Sequence, residues 1–322
     1  MPRILTGIQC TGRPHLGNVL GAMVPTLNLS NHLAHDTFIF LADLHTLTTV
    51  KDAAIRKSYV YTAAAAWLAL GLDLEKVTFY RQSQIPAVCE LTWYLSCFTP
   101  YPMLANAHAF KDKSDRVSTV NAGLFSYPIL MAADILLYQA DIVPVGKDQL
   151  QHLEITRDIA NSFNNQYGPI LRLPQALIDD SIAIIPGIDG QKMSKSYNNT
   201  IDIFLPEKEL RSSIMRIQTD SKAVNDPKDP GQSIIFKLYS LLAPPADIAM
   251  MRENYIRGGY GYGQAKEALL AVILEKFAEV RKKFNAYLAD ESTLEEILSI
   301  GESKAGAVAA QTLAMVRSKL GY

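Results

Sequence analysis

The chain is short of cysteine, of net charge and of long apolar runs, and each shortage removes a class of protein. Three cysteines among 322 residues, Cys10, Cys89 and Cys97, form neither a CxxC pair nor a metal-ligand spacing. A disulfide scaffold and a thiolate metal centre are therefore excluded, and a reducing, cytoplasmic location is expected. Net charge is −1, so nothing global attracts nucleic acid, and any such surface must be a local basic patch. The longest apolar stretch, Tyr61 to Leu72, is too short to cross a bilayer, and no membrane partner is expected. Met1-Pro2-Arg3 runs straight into a strand-like segment, so no leader peptide is expected. Internal repeats, low-complexity tracts, a GxGxxG fingerprint, a Ser–His–Asp arrangement and a carboxylate cage for a metal are also missing.

What is present starts with Lys192-Met193-Ser194-Lys195-Ser196. Two ammonium groups and two hydroxyls in five residues suit a loop that grips phosphate, since Lys donates as a point charge and Ser as a neutral group. The same composition also suits a solvated surface loop. It follows the apolar run Ile182–Ile185 and the turn Pro186-Gly187-Ile188-Asp189-Gly190, which reads as a strand followed by a Gly-containing loop. Near the N-terminus the order repeats. Arg3–Gln9 reads as a strand, Cys10-Thr11-Gly12-Arg13-Pro14 as a turn, and His15 to Met23 as a helix start. Unpaired N–H groups and the helix dipole favour an anion at such a place. Gly17 and Gly21 lie one turn apart and admit close approach of a ring to the backbone. His15 is either a phosphate donor or a capping residue.

Together these two elements resemble the paired signatures of the class I aminoacyl-tRNA synthetases. Further segments are similar, in order, to the tryptophanyl-tRNA synthetase family. They are Gly7-Ile8-Gln9, Asp43-Leu44-His45, Phe110-Lys111-Asp112-Lys113-Ser114, Tyr127 to Tyr138, and Val143 to Gln149. The resemblance covers most of residues 3 to 200 and continues more loosely beyond. It implies that ATP activates L-tryptophan, with release of pyrophosphate, and that tryptophan then passes to the 3′ end of tRNA(Trp). It implies catalytic roles for Lys195, Lys192, Lys113 and His15. ATP contacts are implied for Gln9, Cys10, Thr11, Gly17, Asn18, Gly146, Lys147, Asp148, Gln149, Ile184, Met193, Ser194 and Ser196, besides the two loop lysines. Tryptophan contacts are implied for Asp134, Tyr127, Met131, His45, Gly7 and Gln9. Mg2+ would ride on the phosphates, and a homodimer bridged by tRNA is implied. The sequence departs from bacterial relatives at Leu5, Ala109 and Tyr197, where an aromatic, a Gln and an acid are common.

The residues alone leave some of these roles open. Tyr127, Met131 and Asp134 are spaced i, i+4, i+7 and share one helix face. A lone carboxylate on an apolar face needs a partner. That partner is either a structural donor elsewhere or a ring N–H of the substrate. An acceptor left unpaired by phenylalanine would reject it without editing. Asp148 suits ribose hydroxyls or a helix cap equally. Of the basic residues near the C-terminus, Lys276, Arg281, Lys282, Lys283, Lys304, Arg317 and Lys319 are candidate tRNA contacts. Apolar residues of 91–98 and 101–104 suit a dimer interface or a core.

For fold, strand-like runs at Arg3–Gln9, Thr37–Ala42, Val77–Arg81, Ile142–Pro144 and Ile182–Ile185 alternate with helical stretches. That alternation predicts an α/β fold with a doubly wound parallel (Rossmann-like) sheet over residues 1–200, with a helical insertion at about 87–137. Residues 201–322 read as all helical, and the resemblance implies that they bind the anticodon. The alternatives are a tyrosyl-tRNA synthetase, a small nucleotidyltransferase, and a non-catalytic paralogue that binds tRNA or tryptophan.

Overall fold

The computed structural model describes residues 1–32, 36–107, 120–178 and 185–322. Among them, five parallel strands form one sheet: β1 (Arg3–Ile8), β2 (Asp36–Leu41), β3 (Val77–Arg81), β4 (Ile142–Pro144) and β5 (Gln175–Leu177). The strand order is β3-β2-β1-β4-β5. The chain winds outward in both directions from β1, so a crevice opens at the carboxyl ends of β1 and β4. β2 is buried on both faces, from Thr37 to Leu41, as a parallel strand covered by helices should be.

The pleat sorts the side chains. Ile39, Leu41, Val77 and Phe79 enter one core, whereas Leu5, Phe38, Phe40 and Tyr80 enter the other. Gly7 pairs with Phe40 across the ladder, and a Cβ at Gly7 would lie 2.4 Å from the Phe40 ring. Glycine is required there by packing.

The first core lies under α1 (Leu16–Asn18), a π-helical turn at Val19–Met23, α2 (Val24–His32) and α4 (Ala53–Ala69). α3 is the single turn Asp43–Thr46 after β2. α4 is started by Asp52, whose Oδ1 accepts from the Ile55 N–H at 2.8 Å. Its run Ala63–Ala66 is fully buried, which lets neighbouring backbones approach closely. The second core lies under α5 (Pro86–Ser96), α6 (Tyr101–Ala105), α7 (Ala122–Leu136) and α8 (Leu150–Tyr167).

After residue 200 the described chain is helical: α9 (Glu207–Met215), α10 (Ile234–Ser240), α11 (Pro245–Arg257), α12 (Tyr262–Lys276), α13 (Ala278–Ala289) and α14 (Glu291–Leu320). The helical run between α11 and α14 is broken at Phe277 (φ −104°, ψ 12°), whose ring is buried in the first core. Leu210, Ile235, Leu269, Phe284 and Leu294 join the sheet's first core, and Ala305, Ala309 and Val316 join the second. α14 covers the edge strand β3 so closely that a Cβ at Gly301 would sit 1.7 Å from the Phe79 carbonyl oxygen. The edge is thereby closed to other strands. No helix of the described residues is long and apolar enough to cross a membrane.

The fifth strand expected at Ile182–Ile185 falls mostly on residues 182–184, which lie outside the described residues. The sheet's described fifth strand is instead Gln175–Leu177. All three of its residues are exposed, so it carries no apolar alternation that sequence reasoning could detect.

Candidate active site

At the end of β1 the chain turns through Gly12 (φ +100°) and enters α1 with His15 as its cap. The cap is reciprocal: His15 Nδ1 accepts from the Asn18 N–H at 3.2 Å, and Asn18 Oδ1 accepts from the His15 N–H at 3.2 Å. Burial, reinforced by the Lys195 ammonium, pushes the His15 pKa down to about 4. The ring is therefore neutral near pH 7. With Nδ1 accepting, Nε2 carries the proton and is a donor. Capping and donation to an anion, alternatives in the sequence, are compatible because they use different nitrogens.

The Lys192–Ser196 loop meets this turn directly. Lys195 Nζ donates to the Thr11 carbonyl at 2.9 Å, and a Cβ on Gly12 would lie 3.5 Å from the same nitrogen. The Gly17 N–H donates to Met193 Sδ at 3.2 Å. A Cβ on Gly17 would press on the His15 ring at 3.0 Å and on Met193 at 3.2 Å. Met193 is buried, so it anchors the loop while Lys192, Lys195 and Ser196 remain exposed. Crowding around Lys195 lowers its pKa, against the attraction of Asp202. Asp202 is in turn paired with Arg13 at 2.8 Å, and the Leu16 N–H donates to the Ile201 carbonyl at 2.7 Å. Both signature elements thus meet at the carboxyl end of β1, with the Lys195 ammonium against the first turn. Cys10 lies behind this junction, fully buried, with burial raising its thiol pKa. Cys10, Cys89 and Cys97 are all free thiols.

Asn199 shapes the loop and was not singled out from sequence. Its side chain is 1 % exposed. Oδ1 accepts from the Ser194 N–H at 2.7 Å, while Nδ2 donates to Asp189 Oδ1 at 2.8 Å and to the Lys192 carbonyl at 3.1 Å. Gly187 makes room, since a Cβ there would lie 2.4 Å from the Asn199 amide. Pro186 bridges Lys192, and the Met193 N–H donates to the Ile185 carbonyl at 2.9 Å.

On the other face of the sheet, α7 presents Asp134, which is 2 % exposed. Its carboxylate accepts from Gln82 Nε2 at 2.7 and 2.8 Å and is 2.8 Å from His45 Nε2. Burial raises the Asp134 pKa, while the hydrogen bonds from His45 and Gln82 pull it down. Tyr127 lies two turns back along the same face, its hydroxyl 2.8 Å from His152 Nε2 and its ring edge-on to His45 at 6.4 Å. Met131 is half-buried against the same core. The shared face expected for Tyr127, Met131 and Asp134 exists. Gln82 was missed because its partners, Leu44 and Asp134, are 38 and 52 residues away.

Gly146-Lys147-Asp148-Gln149 stands at the carboxyl end of β4 as a 3-10 turn leading into α8, with the Gln149 N–H donating to the Gly146 carbonyl at 2.9 Å. The Asp148 side chain lies outside the described residues, as do Lys111, Lys113, Ala109 and Ile184. Leu5 is a core residue, 1 % exposed, and Tyr197 is exposed. Among the candidate basic residues, Lys276 donates to the Leu242 carbonyl, Arg281 to those of Ile203 and Leu205, and Arg317 to Glu90. These three serve internal contacts, whereas Lys282, Lys283, Lys304 and Lys319 are exposed. The segment 91–98 divides: Leu91 and Leu95 are core, and Trp93 is 69 % exposed. Among the described residues, no cluster of three His, Cys, Asp or Glu side chains is placed to hold a metal.

Residues 1–278 match the family model described as tRNA synthetases class I (W and Y). A tryptophan–tRNA ligase of Rhodopirellula baltica is 47 % identical over 319 residues, covering 99 % of each chain. A crystal structure of tryptophanyl-tRNA synthetase from Campylobacter jejuni, complexed with ADP and tryptophan, superposes with a TM-score of 0.96 at 44 % identity, over 99 % of this chain and 100 % of that one. The enzyme from Mycoplasma pneumoniae gives 0.82 at 29 % identity, over 100 % and 98 %.

Proposed function

The chain belongs to the class I tRNA synthetases of the tryptophan and tyrosine type, among the tryptophan–tRNA ligases, and from that premise we propose how its site works. In the first step the tryptophan carboxylate attacks the α-phosphorus of ATP. A P–O bond forms, the bond to pyrophosphate breaks, and tryptophanyl-adenylate remains. The nucleophile is already an anion, so no protein base is needed and catalysis is positioning and charge stabilisation.

Lys192 and Lys195 hold the β- and γ-phosphates, with Lys195 contributing most as charge builds on the leaving group. Lys113 is assigned to pyrophosphate. His15 donates through Nε2, and Gly17 and Asn18 receive the nucleotide at the start of α1. Gln9, Cys10 and Thr11 line the first loop. Gly146, Lys147, Asp148 and Gln149 are assigned to the ribose, and Ile184 to the adenine. Mg2+, carried in on the phosphates, supplies further charge neutralisation.

Asp134 accepts the indole N–H, with Met131, Tyr127, His45 and Gly7 around the ring. The observation that carries the reading is the junction of the two phosphate elements, Lys195 to Thr11 and Met193 to Gly17, together with a buried carboxylate on the other face of the sheet.

In the second step tryptophan passes to the 3′ end of tRNA(Trp). The division at residue 200 then separates a catalytic part from a helical part that reads the anticodon. Exposed Lys282, Lys283, Lys304 and Lys319 are assigned to phosphate contacts. Trp93 and Tyr101, 69 % and 71 % exposed, are assigned to a homodimer contact. The enzyme is assigned to the cytoplasm. Asp134→Ala tests the pocket: it should raise the tryptophan requirement in pyrophosphate exchange far more than the ATP requirement, and equal effects would make Asp134 structural.

A further inference from the structure

We propose that Gln82 is the positioning residue that makes Asp134 a reader of the indole N–H; this rests on the tryptophan role given to Asp134 above. Gln82 is 1 % exposed. Its orientation is fixed by chemistry, because the Leu44 N–H requires an acceptor and Oε1 fills that need at 3.1 Å. The NH2 end is therefore turned to the carboxylate, where it bridges both oxygens at 2.7 and 2.8 Å. A carboxylate offers about four lone-pair sites. Gln82 and His45 occupy part of that set and prefer the charged form, and the remaining capacity must accept. A protonated carboxyl would also donate, and would then tolerate a ring without an N–H.

The backbone around Gln82 is braced from two sides. Asp43 Oδ1 accepts from the Ser83 N–H at 2.9 Å, and the Ser83 hydroxyl donates to the same carboxylate. Arg81 donates to Glu295 at 2.8 and 2.9 Å and to Glu302 at 3.2 Å, which ties the end of β3 to α14. An amide held this rigidly sets a direction as well as a charge.

The test is a double-mutant cycle of Gln82→Met and Asp134→Asn in the full chain, read by pyrophosphate exchange with tryptophan and with its sulfur isostere benzothienylalanine, which has no N–H. Gln82→Met should raise the tryptophan KM by about 10- to 100-fold, the loss of one or two charge-assisted hydrogen bonds. The ATP KM should stay within about 2-fold, and most of the preference for tryptophan over the isostere should vanish. In the Asp134→Asn background the same change should add less than about 3-fold, because the two residues act as one unit. Gln82→Glu, close in shape, should reproduce the tryptophan defect if Gln82→Met does not fold. If Asp134→Asn weakens tryptophan selection but neither Gln82 variant does, the role of Gln82 is overturned and that of Asp134 stands. If Asp134→Asn leaves tryptophan selection intact, the underlying reading fails with it.

Discussion

Asn199→Ala should uncouple the phosphate loop from the rest of the enzyme. The amide makes three bonds inside a loop whose own residues cannot replace them. Two go to neutral backbone groups, at roughly 1 kcal/mol each, and one goes to the Asp189 carboxylate, at about 1.5–3 kcal/mol. Water reaches the rim of this loop and recovers part of that sum, which leaves a net loss of about 2–3 kcal/mol. At 1.4 kcal/mol per tenfold, the population with Lys192 and Lys195 in place falls by roughly 30- to 150-fold. The assay is tryptophan-dependent pyrophosphate exchange with ATP varied, alongside thermal unfolding. Catalytic efficiency for ATP should fall by about that factor while the tryptophan KM moves little. Asn199→Asp should do no better, since it keeps the acceptor for Ser194 but sets a second carboxylate against Asp189. If Asn199→Ala keeps ATP efficiency within about 3-fold of the parent, the Pro186–Lys192 bridge and the Met193 anchor suffice, and the reasoning is wrong.

Lys195→Ala should lower turnover more than ATP affinity, because its charge is needed most as pyrophosphate leaves; the reverse pattern in steady-state exchange kinetics would remove its transition-state role. The His15 ring should stay neutral from pH 8 to about 5 in an NMR titration, and a midpoint near 6.5 would contradict the structure. Its folded pKa, about 4 against an ordinary histidine value of 6.5, means that the unfolded chain binds more protons between those values. The stability contributed by neutral His15 is thus fully present above about pH 6.5 and is lost as pH falls toward 4. Gly301→Ala should lower Tm by several degrees, since its Cβ would lie 1.7 Å from the Phe79 carbonyl oxygen and overpacking of that kind costs about 1–3 kcal/mol or more. An unchanged Tm would mean that α14 sits further from β3 in solution.

Local chemistry was legible in the sequence, and long-range chemistry was not. β3 and β4 match their expected bounds because short β-branched and aromatic runs are set by their own residues and flanking turns. The two signature segments were legible only as a pair in one order, since each alone also suits a solvated loop or a helix cap. The break at Phe277 has no Gly or Pro to announce it and is made by a ring entering the core. Gln82 and Asn199 are neutral amides, unremarkable in composition, whose weight comes from where the fold places their partners. The helices after residue 200 read as a separate unit because helical periodicity gives no hint of what a helix packs against. In the structure they share both cores with the sheet.

The most direct test of the account is pyrophosphate exchange into ATP by the purified chain with single amino acids. Exchange should require tryptophan, fail with tyrosine and phenylalanine, and weaken when Asp134 is replaced. Exchange driven by tyrosine, or none with any amino acid, would contradict the assignment of the buried Asp134 carboxylate and the cationic loop to one tryptophan-activating site.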